Sequence, residues 1–218
     1  MKRLIITVGI SLIIAIFLTI ILKIFFIQLY TYESDTMCKS VIHGSKLIIS
    51  KVSRINNNDI VLCNDPKSGH FFLSRIVGSE DDKVTISEQN LYVNDKLTEY
   101  EYQTKRFCLR YLKPKEVELL KIKYKIKPYN HSNFYVADLT KSEFKEIIND
   151  STSNLRKMIY PFHKCNNNIF HSEEKIEEQF ISKDSFFVLN DNRSNLNDSR
   201  SKGLIHKSQI IGKLIYRY

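Results

Sequence analysis

The chain has 218 residues, of which 43% are apolar and 26% charged, which excludes a disordered or collagen-like protein. Lysine and arginine outnumber aspartate and glutamate by 33 to 24, so the formal net charge is +9. Lysine, isoleucine and asparagine are abundant, whereas alanine occurs only twice. This bias is typical of an A/T-rich genome, so the positive charge is weak support for a nucleic-acid partner, and none is expected.

The first thirty residues predict a transmembrane anchor. Residues 4–22 carry no charge, and the apolar character resumes after Lys23 and continues to Tyr30. A stretch of about 20 apolar residues spans the core of a bilayer. Two basic residues precede the stretch and two acidic residues follow it, which predicts a cytoplasmic N-terminus and an exported main domain. A cleaved signal peptide is disfavoured because no small-residue cleavage site follows.

The exported part is rich in short, β-prone runs bounded by turn residues. Strands are predicted over residues 45–52, 59–63, 70–78, 83–87, 91–94, 121–127, 185–190 and 209–218. The run at 121–127 alternates isoleucine and tyrosine with four lysines. One helix is predicted after Thr140, because Thr140 and Glu143 form a capping box and apolar residues follow at helical spacing.

Many short strands with few helices predict a mainly β fold, an antiparallel sheet arrangement of the sandwich or barrel-like kind. Residues 100–182 contain the helix and the weaker strand signals, and we interpret them as a small α+β insert. The predicted organisation is therefore an anchor over 1–30, a β core over 31–99 and 183–218, and an inserted subdomain over 100–182.

The four cysteines do not form a metal-binding pattern. They lie far apart, with no CxxC and no Cys/His cluster, at Cys38, Cys63, Cys108 and Cys165. This spacing argues against a zinc site and against a disulfide-dense scaffold, so no metal and no cofactor is expected. In an oxidising compartment a disulfide is possible, but the spacing does not specify a pair, and four free thiols remain an equal alternative.

A long motif lies near the end of the chain. Residues 190–205 read NDNRSNLNDSRSKGLI, and residues 210–213 read IIGK. This resembles a signature of bacterial signal peptidase I, roughly GDNRDNSxDSRxxGxV followed by IxGK. Other motifs of the family match in the same order at residues 34–41, 58–61, 72–78 and 91–95. The resemblance covers residues 1–98 and 180–218.

The resemblance implies a β-rich serine protease held in the bacterial inner (cytoplasmic) membrane by one span, with its main domain outside the cytoplasm. It implies signal peptides of exported preproteins as substrates and the lipid bilayer as a partner. The family's catalysts are a serine and a lysine. A serine hydroxyl is a weak nucleophile until a base removes its proton. A buried lysine with a lowered pKa can act as that base.

Both catalytic positions are substituted in this chain. Thr36 occupies the nucleophile position, and Ser74 occupies the position of the general base. Ser34 retains the position that helps to form the oxyanion hole, and Leu196 replaces a serine that helps to hold the lysine. The supporting positions that are retained are Asp191, Asp198 and Arg200. We therefore predict a catalytically impaired homologue that retains peptide binding or pairs with an active signal peptidase paralogue.

Two other functions stay open. In the first, Thr36 is active with a non-standard base, for which Lys39, His43, Lys46 and Lys51 are the nearby candidates. In the second, the lysines of residues 121–127 contact anionic lipid headgroups, making the domain a membrane-surface module. A solvated strand face is the simpler interpretation of those lysines.

Overall fold

The computed structural model describes residues 2–37, 40–87, 90–100, 103–110, 112–128, 134–149, 159–161 and 176–218. The helices are α1 (Lys2–Phe25), α2 (Pro114–Tyr124), α3 (Lys141–Asn149) and α4 (Ser199–Lys202). The strands are β1 (Ile27–Thr31), β2 (Lys46–Ser50), β3 (Ile60–Asn64), β4 (Phe71–Gly78), β5 (Lys83–Ser87), β6 (Asn90–Val93), β7 (Lys96–Thr98), β8 (Thr104–Arg110), β9 (Lys127–Pro128), β10 (Phe134–Thr140), β11 (Ile159–Pro161), β12 (Ile176–Phe180), β13 (Ser185–Leu189), β14 (Ile205–His206) and β15 (Ile210–Arg217).

The strands among these residues form one seven-stranded and two four-stranded antiparallel sheets, which confirms the predicted mainly β class. The large sheet has the order β1-β2-β15-β3-β4-β13-β14. Strand β4 lies between β3 and β13 and is buried on both faces after Phe71, and this placement carries Ser74 and Arg75 into the interior. A strand covered on both faces reads as a continuous apolar run, and Ser74 and Arg75 interrupt that run here.

The junction between α1 and the large sheet is short. Helix α1 ends at Phe25, and β1 begins at Ile27 and pairs antiparallel with β2. Residues 27–30, which the sequence assigned to the anchor, therefore belong to the large sheet. Across the described part of the chain, no helix meets the length and hydropathy of a membrane span. The anchor and its orientation stay predictions.

The glycine of the IIGK motif lies where two backbones approach closely. A Cβ on Gly212 of β15 would clash with the carbonyl oxygen of Ser50 on β2. We expect Gly212→Ala to lower the free energy of unfolding by about 1–3 kcal/mol, because the two strands would have to separate. Denaturant unfolding measures this change, and an unaltered unfolding midpoint would contradict the packing explanation.

The insert has its own sheet, with the order β11-β8-β10-β9, and its own apolar cluster. The predicted helix is confirmed as α3. The backbone N–H of Thr140 donates to Glu143 Oε2 at 2.8 Å, and the N–H of Glu143 donates to Thr140 Oγ1 at 3.3 Å, so the capping box is formed. Strand β12 lies within the same predicted segment but pairs with β5, in the third sheet.

The strand predicted over residues 121–127 is wrong, because α2 extends to Tyr124. Proline at the first helical position and a left-handed Lys125 (φ 52°) after the last turn delimit the helix. Its buried side chains recur at helical spacing and are Val117, Leu120 and Tyr124. Ile122, which the alternating pattern placed on a buried face, is 83% exposed. The lysine-covered strand face behind the membrane-surface hypothesis is therefore absent from the described residues.

The structure contains a disulfide, so the alternative of four free thiols is wrong. Cys108 is disulfide-bonded, whereas Cys63 is a buried free thiol whose pKa burial raises to about 12. The partner of Cys108 lies outside the described residues, as do both Cys38 and Cys165.

A salt bridge ties α4 to the turn after β3. Lys202 Nζ lies 2.6 Å from Asp65 Oδ2, and this hydrogen bond lowers the pKa of Asp65 from 3.8 to about 2. A carboxyl with a depressed folded-state pKa adds stability that is present above its unfolded pKa and is lost as the pH falls through the folded pKa. We expect Asp65→Asn to melt below the wild type at pH 7 and to match it at pH 2. Thermal melts at pH 7, 4 and 2 check this, and a difference that persists at pH 2 would contradict it.

Candidate active site

Two loops that are distant in sequence converge next to β4. The loop after β1 carries Thr36, whose hydroxyl donates to the carbonyl of Leu73 at 3.4 Å. The loop after β13 approaches the same place, because the backbone N–H of Asn192 donates to the carbonyl of Thr36 at 2.9 Å. It also meets β4 directly, since the Ser74 hydroxyl donates to Asn190 Oδ1 at 2.6 Å. The structure thus brings Thr36 and the residues around Ser74 into one site.

The hydroxyl of Thr36 is buried among other hydroxyls. The side chain is 3% exposed, and its Oγ1 lies 3.0 Å from the hydroxyl of Tyr32 and 3.5 Å from that of Ser34. The backbone N–H of Thr36 also donates to Ser34 Oγ, at 3.3 Å. Ser34 is therefore close to both the hydroxyl and the amide of Thr36, and its role in an oxyanion hole stays a prediction.

Tyr32 is the neighbour of Thr36 that the sequence did not single out. Its hydroxyl accepts the N–H of Met37 at 2.7 Å, which leaves its own proton free to donate to Thr36. Burial raises the pKa of Tyr32, so its hydroxyl is protonated at neutral pH and does not serve as a base there. An aromatic residue four positions before a threonine carries no chemical signature, so only the folded chain identifies it.

Ser74 is held by an amide. The side chain is fully buried, and its hydroxyl bonds to Asn190, whose own Nδ2 donates to the carbonyl of Asn195 at 3.1 Å. Within the described ranges, no hydrogen bond joins Ser74 to Thr36. The predicted base position therefore holds a neutral hydroxyl that is hydrogen-bonded within an amide network, and Ser74 is not a group that takes a proton near neutral pH.

The alternative bases that lie within the described residues do not contact Thr36. Lys51 donates its Nζ to the carbonyl of Ile24 at 2.8 Å, at the end of α1. Lys46 and His43 are exposed, and neither bonds to the threonine hydroxyl. Lys39 lies outside the described residues.

Asp191 belongs to a buried ion pair. Arg75 on β4 donates to its two carboxylate oxygens, from Nε at 2.8 Å and from Nη2 at 2.6 Å. Ser40 also donates to this carboxylate and accepts from Arg75 Nη2 at 2.9 Å. The side chains of Arg75 and Asp191 are 8% and 0% exposed. This bidentate geometry joins β4 to the loop after β13, which carries Asp191, and to Ser40, which follows Thr36 in the chain.

Asp198 and Arg200 brace the same loop from its other end. Asp198 caps α4 by accepting from the backbone N–H of Arg200 at 3.1 Å, and it accepts from the N–H of Asn190 at 2.9 Å. The Arg200 guanidinium bonds both oxygens of Asp198, at 2.9 and 2.7 Å, and the carbonyl of Arg193 at 2.7 Å. These contacts hold the loop that presents Asn190 to Ser74.

The first half of β4 has no described strand partner on the side of Thr36, although its residues after Phe71 are buried. Only Arg75, Ile76 and Gly78 pair with β13, so residues 71–74 have no strand partner on that side among the described residues. Thr36 reaches the carbonyl of Leu73 within this unpaired stretch. An unpaired strand edge is a surface to which an extended peptide can add by backbone hydrogen bonds.

No cluster of His, Cys, Asp and Glu in the described part of the chain has the arrangement of a metal site. The groups described above at this site are hydroxyls, amides, backbone groups and two buried ion pairs.

Comparison with known proteins places these observations in a family. The family model described as signal peptidase, peptidase S26, matches residues 5–218. The chain is 23% identical over 213 residues to inactive signal peptidase IA of Staphylococcus aureus strain MRSA252, covering 96% of this chain and 88% of that protein. It is 25% identical over 222 residues to signal peptidase IB of Staphylococcus aureus strain COL, covering 100% and 91%.

A solved signal peptidase I from Enterococcus faecalis aligns with 75% of this chain and 99% of its own, at 18% identity and a TM-score of 0.38, a likeness too distant to add weight. The family model, by contrast, covers nearly the whole chain and includes the loop that meets Thr36 and Ser74. This protein belongs to the signal peptidase family, peptidase S26.

Proposed function

We propose that this protein is a catalytically impaired, membrane-anchored homologue of signal peptidase I that binds signal peptides, or an active signal peptidase paralogue, without efficient cleavage. The observation that carries the proposal is the environment of Ser74. At the position of the family's lysine base, a buried hydroxyl donates to Asn190 and is hydrogen-bonded to no other described side chain. A nucleophile without a base loses general-base assistance of about 10²–10⁴-fold.

The nucleophile position adds to the loss. Thr36 carries a methyl group that restricts its side-chain rotation, and its hydroxyl is buried and bonded within the protein. Because a nucleophile and its base act as a unit, the two substitutions together reduce the rate by less than the product of their separate effects. Signal peptidase IB and inactive signal peptidase IA of Staphylococcus aureus are both similar to this chain. The name of the second relative supports the proposed impairment, because it describes that protein as inactive.

Peptide binding needs neither catalytic group. The edge of residues 71–74 has no strand partner among the described residues, but Leu73 and Ser74 are buried and the Leu73 carbonyl accepts from Thr36, so a peptide that pairs there replaces this contact. The ion pair of Arg75 with Asp191 holds β4 in place next to it. Binding through main-chain hydrogen bonds depends on the strand and not on the side chains at positions 36 and 74. An intact edge beside a disabled base therefore supports a binding role.

Cleavage of a preprotein by the full-length protein in lipid tests the catalytic half of the proposal, with Thr36→Ala as the control. We expect no cleavage at the signal site above the level of Thr36→Ala, from protein whose fold is verified by circular dichroism. Cleavage that disappears in Thr36→Ala would mean a working protease with a non-standard base and would overturn this half.

Signal-peptide affinity tests the binding half. We expect a fluorescent signal peptide to bind, and the same peptide N-methylated at two backbone positions next to the cleavage site to bind about tenfold more weakly. Each lost main-chain hydrogen bond removes about 0.5–1.5 kcal/mol. A scrambled peptide of equal hydropathy controls for non-specific partition. Equal affinities for all three peptides would contradict binding at the strand edge. The absence of binding by any of the three would contradict it as well.

A further inference from the structure

A cavity of about 340 Å³ is lined by residues of the insert and by Glu99 of the β core, and Thr36 is not among the lining residues. Four apolar side chains line it: Phe107, Leu139, Phe144 and Ile148. Phe107 and Leu139 come from the insert's sheet and are buried, whereas Phe144 and Ile148 come from α3 and are only half-buried. The rings of Phe107 and Phe144 stack at 4.5 Å. The volume lies within the range of small-molecule sites, roughly 300–1,000 Å³.

The sequence of α3 explains why the apolar wall is left open. Its apolar residues are Phe144, Ile147 and Ile148, and only Ile147 is fully buried against the sheet. The other two face the cavity and contact the insert's apolar cluster at its margin. Their incomplete burial leaves apolar surface that a bound hydrocarbon would cover, which is favourable by about 25 cal/mol per Å².

The mouth of the cavity is positively charged. Three lysines line it: Lys105, Lys141 and Lys145. One carboxylate faces them, since Glu99 accepts from Lys141 at 2.5 Å and from Lys105 at 3.3 Å. The hydrogen bond from Lys141 lowers the pKa of Glu99, which is therefore ionised at neutral pH. Three ammonium groups against one carboxylate leave two positive charges without a counter-charge.

Neighbouring acidic side chains on α3 do not neutralise this excess. Glu146 is paired with Lys123 of α2 at 2.6 Å, and Glu143 closes the capping box with Thr140. Lys145 has no ion-pair partner among the described residues. An apolar cavity with a cationic mouth is complementary to a molecule with a hydrocarbon body and a negative end.

We propose that this cavity binds a single-chain amphiphile with an anionic head, its acyl chain lying against Phe107 and Phe144 and its head meeting the lysines at the mouth. The head is a carboxylate, as in a free fatty acid, or a phosphate, as in a lysophospholipid, and both offer the same complementary charge. This site is separate from the proposed peptide edge, so the inference does not depend on the proposed function.

The absence of tryptophan from the chain makes the test specific. Ile148→Trp places a unique fluorophore in the cavity, and Phe144→Trp is a second reporter if the first variant does not fold. The matched control is Ile122→Trp, at an 83% exposed position on α2 outside the cavity. Each full-length variant is reconstituted in zwitterionic nanodiscs and titrated with bromododecanoate, whose bromine quenches a nearby indole.

We expect saturable quenching of the cavity tryptophan and only weak, non-saturating quenching of the control. Adding Lys145→Gln to the reporter should weaken the affinity about three- to tenfold, whereas Lys123→Gln should leave it unchanged. Bromododecanol has no charge. Its affinity for the reporter protein should be no higher than the affinity of the acid for the Lys145→Gln reporter.

Equal quenching at the cavity and control positions would overturn the site, as would the absence of saturable quenching in both folded reporters. Equal affinity for the acid and the alcohol would overturn the role of the anionic head. Titration with a brominated lysophospholipid that has a phosphate head distinguishes a fatty acid from a lysophospholipid as the ligand. Tighter binding than the acid identifies a phospholipid-derived ligand, and weaker binding identifies a fatty acid.

Discussion

Arg75→Ala is expected to lower the free energy of unfolding by about 3–5 kcal/mol, because it leaves Asp191 as an unpaired, buried carboxylate. The pair is fully desolvated on the aspartate side and is made by two parallel hydrogen bonds, at 2.8 and 2.6 Å. Ser40 would remain as a donor to the carboxylate, but one hydroxyl does not replace a guanidinium. Denaturant unfolding of the full chain in a mild detergent measures the change.

An exposed pair of the same length provides the control. Lys123 Nζ also lies 2.6 Å from its partner, Glu146 Oε1, but the two side chains are 57% and 54% exposed. We expect Lys123→Ala to change the free energy of unfolding by less than about 1 kcal/mol, since water screens this pair. Similar losses in Arg75→Ala and Lys123→Ala would show that burial does not govern the contribution of the Arg75–Asp191 pair.

Restoring both catalytic residue types is expected to produce the largest change in activity. We expect the double variant Thr36→Ser with Ser74→Lys to cleave a preprotein about 10²–10⁴-fold faster than the wild type. A lysine amine at position 74 would lie in a fully buried environment, which lowers its pKa and favours the neutral base. Initial rates of signal-peptide release by reconstituted protein measure the effect.

Ser74→Met in the Thr36→Ser background separates the chemistry from the packing. Methionine fills much of the volume that lysine needs but has no amine, so this control should remain inactive. Melting temperatures must show that both double variants are folded. A folded lysine variant that is no faster than the methionine variant would mean that the impairment lies elsewhere, with Leu196 as the next position to restore.

Most of the β core could be predicted from local patterns. The predicted runs at 83–87 and 185–190 correspond to β5 and β13 because turn residues bound them, and the Thr140 capping box located α3 by its own hydrogen bonds. Helix α2 was missed because the alternation over residues 121–127 has the period of a strand, whereas most of the helix and its apolar spacing lie before residue 121. Packing decided between strand and helix, since Leu120 and Tyr124 contact the insert's core while Ile122 faces solvent.

The candidate site was only partly predictable. The resemblance to the family's motifs predicted the roles of positions 36, 74 and 191, but not what Thr36, Ser74 and Asp191 contact. The bonds from Thr36 to Leu73 and from Ser74 to Asn190 join residues that are 37 and 116 positions apart. Tyr32 and the cavity lined by α3 have no motif of their own, and the motif at residues 72–78 contains Arg75 without indicating its partner.

The order of residues was enough to indicate the family and the mainly β architecture and to predict that both catalytic positions are substituted, because motifs, periodicity and residue chemistry are local properties. The partners of each hydroxyl, the burial of the Arg75–Asp191 pair and the cationic mouth of the cavity depended on the folded chain. They arise where strands and loops from distant segments meet, and burial there sets the strength of every charge and hydrogen bond.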